Sequence, residues 1–205
     1  MALLDLFRPI RDVKTLVAFI DEEAEGLGRA VVETYLQGRA GAAAEQLFAT
    51  AKFIAARDRA QHEAYPVALA MVGEMVLADL AAPGEIARDL ARGLAARVAT
   101  LFDRRPALLD HAAWAKARRE VEHSIEALGS ERPKPIASIV SEFCPSFLAL
   151  MPIHDSLSGD DFPALRQQLE TALKEVHEGF ARRAGARRLV TALSKLHDSG
   201  ADNAT

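Results

Sequence analysis

Two carboxylates, Glu74 and Asp79, lie inside residues 64–82, the most hydrophobic stretch of the chain. Apolar groups on nearly every side mark this segment for burial, and a buried carboxylate needs a partner or a proton. A carboxyl kept protonated in a pocket can do acid or base work, whereas one paired with an arginine from a neighbouring helix, or lying on a narrow solvent-facing stripe, is structural. On a helix a spacing of five turns the two groups roughly 140° apart, so they cannot share one metal or one proton from the same face. Glu74 falls between Val67, Ala70 and Ala78 on the wheel, a face of small side chains suited to close helix contact. Glu142 and Phe147 belong to a second strongly apolar stretch, residues 136–153. With Glu74 they form a candidate contact set for a mostly apolar ligand pocket between helices.

Other spacings suggest chemistry and stop short of it. Glu120 and His123 have the Glu-x-x-His spacing of carboxylate-bridged di-metal bundles, which need a second such motif. None of His62, His111, His154, His177 and His197 follows a Glu by three residues, and Lys116 and Arg118 stand four residues before Glu120 and Glu122 as in solvated ion pairs. Cys144, with His154 and Asp155 further on, contains the residue types of a thiol–imidazole site, but a lone cysteine in an apolar run reads more simply as an inert core group. Gln61-His62-Glu63 lacks the second histidine of a zinc protease motif. The sequence therefore points to no metal, no cofactor and no complete catalytic set.

A basic surface is the remaining constellation. Residues 181–197 hold five basic residues and no acid, with Leu189, Leu193 and Leu196 clustered on one side of a helical wheel. Arg182, Arg183, Arg187 and Arg188 are its candidate contacts for anionic lipid, nucleic acid or an acidic partner; the simpler reading is a terminal helix docked by its leucines. The formal net charge of −4 argues against a chain whose whole surface binds nucleic acid, and leaves room for a local basic patch.

The elements that must position these groups read as helices throughout. Ala, Leu, Arg and Glu are abundant, and no stretch alternates β-branched and polar residues as a strand would. The expected fold is all-α: a compact bundle of about seven or eight helices with a buried central helix near residues 66–81. Asp12 is a plausible N-cap for a long helix to about Gln37, closed by Gly38 and Gly41. Its seam of Val13, Leu16 or Val17, Ile20, Ala24, Leu27, Val31 and Thr34 or Tyr35 steps by threes and fours and suits a symmetric interface. Further helices are expected over about 42–63, from Pro66 to Pro83, over 85–103 and from Pro106 to about Leu128. Residues 86–101 resemble a helix-turn-helix only faintly and read better as continuous helix. Beyond lie a helix broken or kinked near Cys144, one from Pro163 to about Arg183, and a last one over about 186–197.

One domain over residues 1–198 is expected, with Gly129 to Pro135 as a possible internal linker and 199–205 as a disordered tail. One cysteine and a start without a signal-peptide pattern point to the cytoplasm. Residues 64–82 approach membrane-spanning length, but Glu74 and Asp79 would each cost about 2.5–3.5 kcal/mol to insert, which favours a core helix. Only residues 181–197 suit a membrane surface. With no catalytic set complete, the expected function is a non-catalytic helical interaction or regulatory protein that binds a macromolecular partner, as a homodimer. The alternatives are an apolar-ligand binder at Glu74 and a basic-helix binder of membrane or nucleic acid.

Overall fold

Asp12 opens the first helix as its residue type predicts: its carboxylate accepts from the Thr15 backbone N–H at 2.8 Å, while Thr15 Oγ1 accepts from the Asp12 N–H at 3.2 Å. That capping box starts α1 (Val13–Ala40), and Gly41, at φ +50°, ends it in a conformation that costs glycine least. A computed structural model describes residues 9–81, 84–105, 110–152 and 161–201, with side chains only as far as Leu193.

Eight α-helical segments follow one another among the described residues, with no strand. After α1 come α2 (Ala44–Phe48), α3 (Ala51–Ala81), α4 (Arg88–Ala99), α5 (His111–Ala127), α6 (Ile136–Leu150), α7 (Phe162–Arg183) and α8 (Ala186–Ala201). Single 3₁₀ turns cover Gly41–Ala43 and Thr100–Asp103. The chain folds as the all-α bundle its composition predicts.

At its centre is α3, which packs along α1 and touches α4, α5, α6, α7 and α8. From Ala64 to Ala78 all but Val67 are buried, because apolar groups surround the helix and leave no face for water. This is the one described helix long and apolar enough to cross a membrane, yet 83% of its most apolar window is buried inside the bundle. One continuous core joins Ile10 to Leu193 and draws side chains from every helix but α2.

Several boundaries differ from expectation. Pro66 does not start a helix; α3 runs unbroken through it from Ala51. Proline lacks an N–H, so the helix forgoes one bond to the His62 carbonyl there, and the burial around it outweighs that loss. The expected 42–63 helix is instead a 3₁₀ turn, the short α2 and the first third of α3. In the same way α6 continues through Pro145 without breaking at Cys144. The start expected at Pro106 lies outside the described residues, and α5 begins at His111, capped by Asp110 accepting from the Ala112 N–H at 2.6 Å. The α1 seam turns inward: Leu27 is 4% exposed in the chain's own core.

Residues 129–135 do not hang free. The Ser130 N–H donates to the Ile86 carbonyl at 2.7 Å and the Ile86 N–H to the Glu131 carbonyl at 2.9 Å, lashing the segment to the entry of α4. Residues 199–201 continue α8, and 202–205, the rest of the expected tail, lie outside the described residues.

Candidate functional site

Glu74 is 3% exposed, as its apolar surroundings demand. Its partner is Lys134, from the 129–135 segment, rather than the arginine the sequence suggests. Lys134 Nζ stands 3.1 Å from Glu74 Oε1, an ion-pair contact without hydrogen-bond alignment, and 2.8 Å from Glu142 Oε2. Burial pushes the Glu74 carboxyl above its usual range while Lys134 pulls it back. Burial also works against the Lys134 charge, but the hydrogen bond to Glu142 and the ion pair with Glu74 outweigh it and raise the ammonium's pKa. Glu74 and Glu142 are thus brought together, but by a lysine that occupies both. Phe147, the third member of the expected contact set, points into the core and is fully buried. The arrangement fastens the 129–135 segment over α3 and α6.

Asp79 faces elsewhere, as the helical angle requires. Its Oδ1 lies 3.0 Å from His177 Nε2 on α7, and burial raises its pKa against the opposing pull of His177. Cys144 is buried, its thiol pushed up by desolvation and 3.9 Å from the Phe162 carbonyl; His154 and Asp155 lie outside the described residues. A thiol held protonated is no nucleophile. Glu120 makes the exposed pair with Lys116 at 3.5 Å, and no group of described His, Cys, Asp and Glu side chains could hold a metal ion.

A polar cleft of about 360 Å³ between α1 and α3 went unforeseen. Tyr65 donates to Asp21 Oδ1 at 2.7 Å, and Arg105 reaches Asp21 at 2.7 Å and Glu25 at 2.8 Å. The Arg105 guanidinium lies 4.1 Å from the Tyr65 ring centre. Burial first, then Asp21, raises the Tyr65 pKa, so the phenol keeps its proton. His62 lies against Trp114, ring centres 5.0 Å apart, and burial and Arg105 together hold its imidazole below the usual pKa. Every charged side chain lining the cleft already has an intramolecular partner: Arg29 binds Glu25 at 2.9 Å and Arg57 binds Asp58 at 2.8 Å. No serine, threonine or cysteine stands among the lining residues, and the Tyr65 hydroxyl there is engaged by Asp21. The network clamps Arg105 and its segment onto α1 and α3. It lacks the parts of an acyl- or phosphoryl-transfer site. Nothing in the sequence pairs Asp21, Tyr65 and Arg105, which are far apart along it.

No family model, no curated protein and no solved structure matches this chain. Function has to be argued from its own chemistry.

The basic stretch is divided between two helices, α7 ending at Arg183 and α8 starting at Ala186. Arg183 folds inward, 3.9 Å from Glu23 and 5.2 Å from the Phe19 ring centre. Arg182 is exposed and lies 3.6 Å from Glu178, while Arg187 and Arg188 are exposed on α8. Leu189 and Leu193 are fully buried, so the leucine face of α8 docks on the bundle.

An apolar tip stands at the other end of α1. No residue of α2 is buried, and Leu47, at 39%, is the exposed large hydrophobic group among the described residues. Phe48 and Phe53 pack together with ring centres 4.8 Å apart and stay only partly buried, as does Ile54. Ala42, Ala43, Ala49, Ala51 and Ala55 extend this surface. Glu45 and Lys52 are exposed at its edge, and neither has an ion-pair partner among the described residues. The short α2 leaves Leu47 open to solvent.

Proposed function

We propose that this protein is a non-catalytic helical interaction module that self-associates through the α2–α3 tip. The observation that carries this reading is Leu47, the exposed large apolar side chain among the described residues, beside the partly buried Phe48–Phe53 pair. Such a surface gains free energy by burial against a partner. Opposite unpaired charges at its edge make it self-complementary: a two-fold axis through the tip can set Glu45 of one copy against Lys52 of the other. The reading that places an apolar ligand at Glu74 has less support, because Lys134 already holds that carboxylate.

The test has two arms. A photo-cross-linking residue at position 47, with one at position 116 as control, is placed in the chain within its own cells. Adducts confined to position 47 support an interaction tip, and their mass separates a second copy from a foreign protein. On the purified chain, light scattering should give a dimer that Glu45→Lys weakens and that Lys52→Glu, added to it, restores. A monomer at all concentrations together with no adduct at position 47 removes the proposal.

A further inference from the structure

A second groove lies where the N-terminus of α1, the C-terminal end of α4 and the middle of α8 meet, far in function from the apolar tip. Its volume is about 450 Å³, within the range of small-molecule clefts. Val13, Val17 and Ala192 give it an apolar floor, and Lys14, Arg97 and Arg104 supply cations along its walls. All three cations are exposed, and none has a carboxylate within ion-pair distance among the described residues. The chain as a whole has more acid than base, 29 residues against 25, so three unmatched cations around one groove are not a by-product of a basic composition.

The fourth source of positive potential is the backbone. The helix α1 is 28 residues long, and its first turn contains no acid. Its first N–H groups have no carbonyl within the helix to bond, and the summed peptide dipoles place positive potential at that end. Asp12 is the one carboxylate at the groove, and its Oδ1 is already engaged by the Thr15 N–H at 2.8 Å and the Thr15 hydroxyl at 2.9 Å. Val13 and Lys14, residues of that first turn, line the groove.

We infer that this groove binds a small amphiphilic anion: a carboxylate or phosphate monoester held by Lys14, Arg97 and Arg104, with a short apolar body lying on Val13 and Val17. A lipid bilayer fits the site less well. The cations converge on a concavity, and the leucines of α8 that would enter a membrane, Leu189 and Leu193, are buried in the bundle. Arg188, one helical turn before Ala192 and exposed, extends the same basic edge.

The test is calorimetric titration of the full chain with octyl phosphate below its micelle concentration. Octanol, inorganic phosphate and vesicles containing phosphatidylserine serve as comparison titrants. Saturable one-to-one binding of octyl phosphate is expected, about ten-fold or more tighter than octanol or inorganic phosphate, and weakening with added salt. Arg97→Gln with Arg104→Gln should weaken it by about ten-fold or more. Lys116→Gln, on the exposed face of α5, should leave it unchanged. Thermal melts of each variant confirm that the fold is kept, and Ala192→Phe, which fills the floor, gives an independent block. Absence of saturable binding, binding indifferent to Arg97 and Arg104, or equal affinity for inorganic phosphate would each overturn the inference. So would binding to vesicles alone.

Discussion

Lys134 Nζ stands 3.1 Å from Oε1 of Glu74, so the charge that balances the carboxylate of the central helix comes from a segment with the composition of a linker. The pair holds residues 129–135 against the bundle. It also creates an asymmetry between the two partners. Removing the lysine strands a buried carboxylate, whereas Gln at position 74 keeps the shape without the charge. Lys134→Ala is expected to cost about 1–3 kcal/mol and Glu74→Gln less, measured as shifts in urea midpoint.

The same carboxylate gives stability a pH dependence of defined sign. Burial raises the Glu74 pKa in the folded state, against the opposing pull of Lys134. The unfolded chain gives up this proton near the ordinary value of about 4.3. Between that value and the raised folded pKa the native state holds more protons, so this group's contribution to stability falls as pH rises and is undiminished below about 4.3. Glu74→Gln should therefore flatten the stability curve from about pH 4 upward relative to the parent. Parallel curves for the two chains would show that Glu74 titrates alike in both states.

Tyr65 and Arg105 converge on Asp21 and should behave as a unit. Tyr65→Phe removes one hydrogen bond of 2.7 Å but leaves Asp21 with Arg105, for a cost of about 1 kcal/mol. Arg105→Ala uncovers Asp21 and Glu25 together and also the face of Tyr65, so its cost should be larger. The double variant should lose less than the sum of the two, with a coupling of about 0.5 kcal/mol or more. Strict additivity in a double-mutant cycle would dissolve the network into independent contacts.

Glycines in two helices should respond in opposite directions to the same change. A Cβ on Gly93 of α4 would stand 3.0 Å from the Leu193 carbonyl oxygen of α8, a backbone atom that can retreat only if its helix moves. Gly93→Ala is expected to lower the melting temperature, by about 2–4 °C per kcal/mol lost in a chain of this size. Around Gly26, on the exposed side of α1, there is nothing within 4 Å, and Gly26→Ala should stabilise by about 0.5–1 kcal/mol. Scanning calorimetry on the two variants decides both.

Leu27→Asp tests whether the α1 seam belongs to the core or to a subunit interface. Leu27 is 4% exposed within a single chain, so an aspartate there buries an unpaired charge. Loss of folded protein is expected, not a folded monomer. A stable, folded Leu27→Asp chain of halved mass would return the seam to the dimer interface.

Much of this architecture is written locally. Asp12 caps, Gly41 terminates, Pro163 sits in the first turn of α7, and the apolar groups on nearly every side of residues 64–82 mark a helix built for burial. These features depend on neighbours one or two turns away, which is why the all-α fold and a buried central helix could be anticipated, whereas the burial of Glu74 itself was decided by the packing around it. Pro66 and Pro145 were misleading for the same reason. Proline's preference for a first turn is a local tendency, and the tertiary burial around α3 and α6 overrides the loss of one helical bond.

Tertiary structure alone decided which groups meet. Lys134 replaced the expected arginine beside Glu74, Asp21 met Tyr65 and Arg105, and the α1 seam turned inward onto α3. It likewise left Leu47 uncovered and gathered Lys14, Arg97 and Arg104 around one groove. Helix periodicity states which face of an element is apolar, but not which element covers it. That choice is made by the packing of all the helices at once, where side chains distant in sequence compete for the same buried volume.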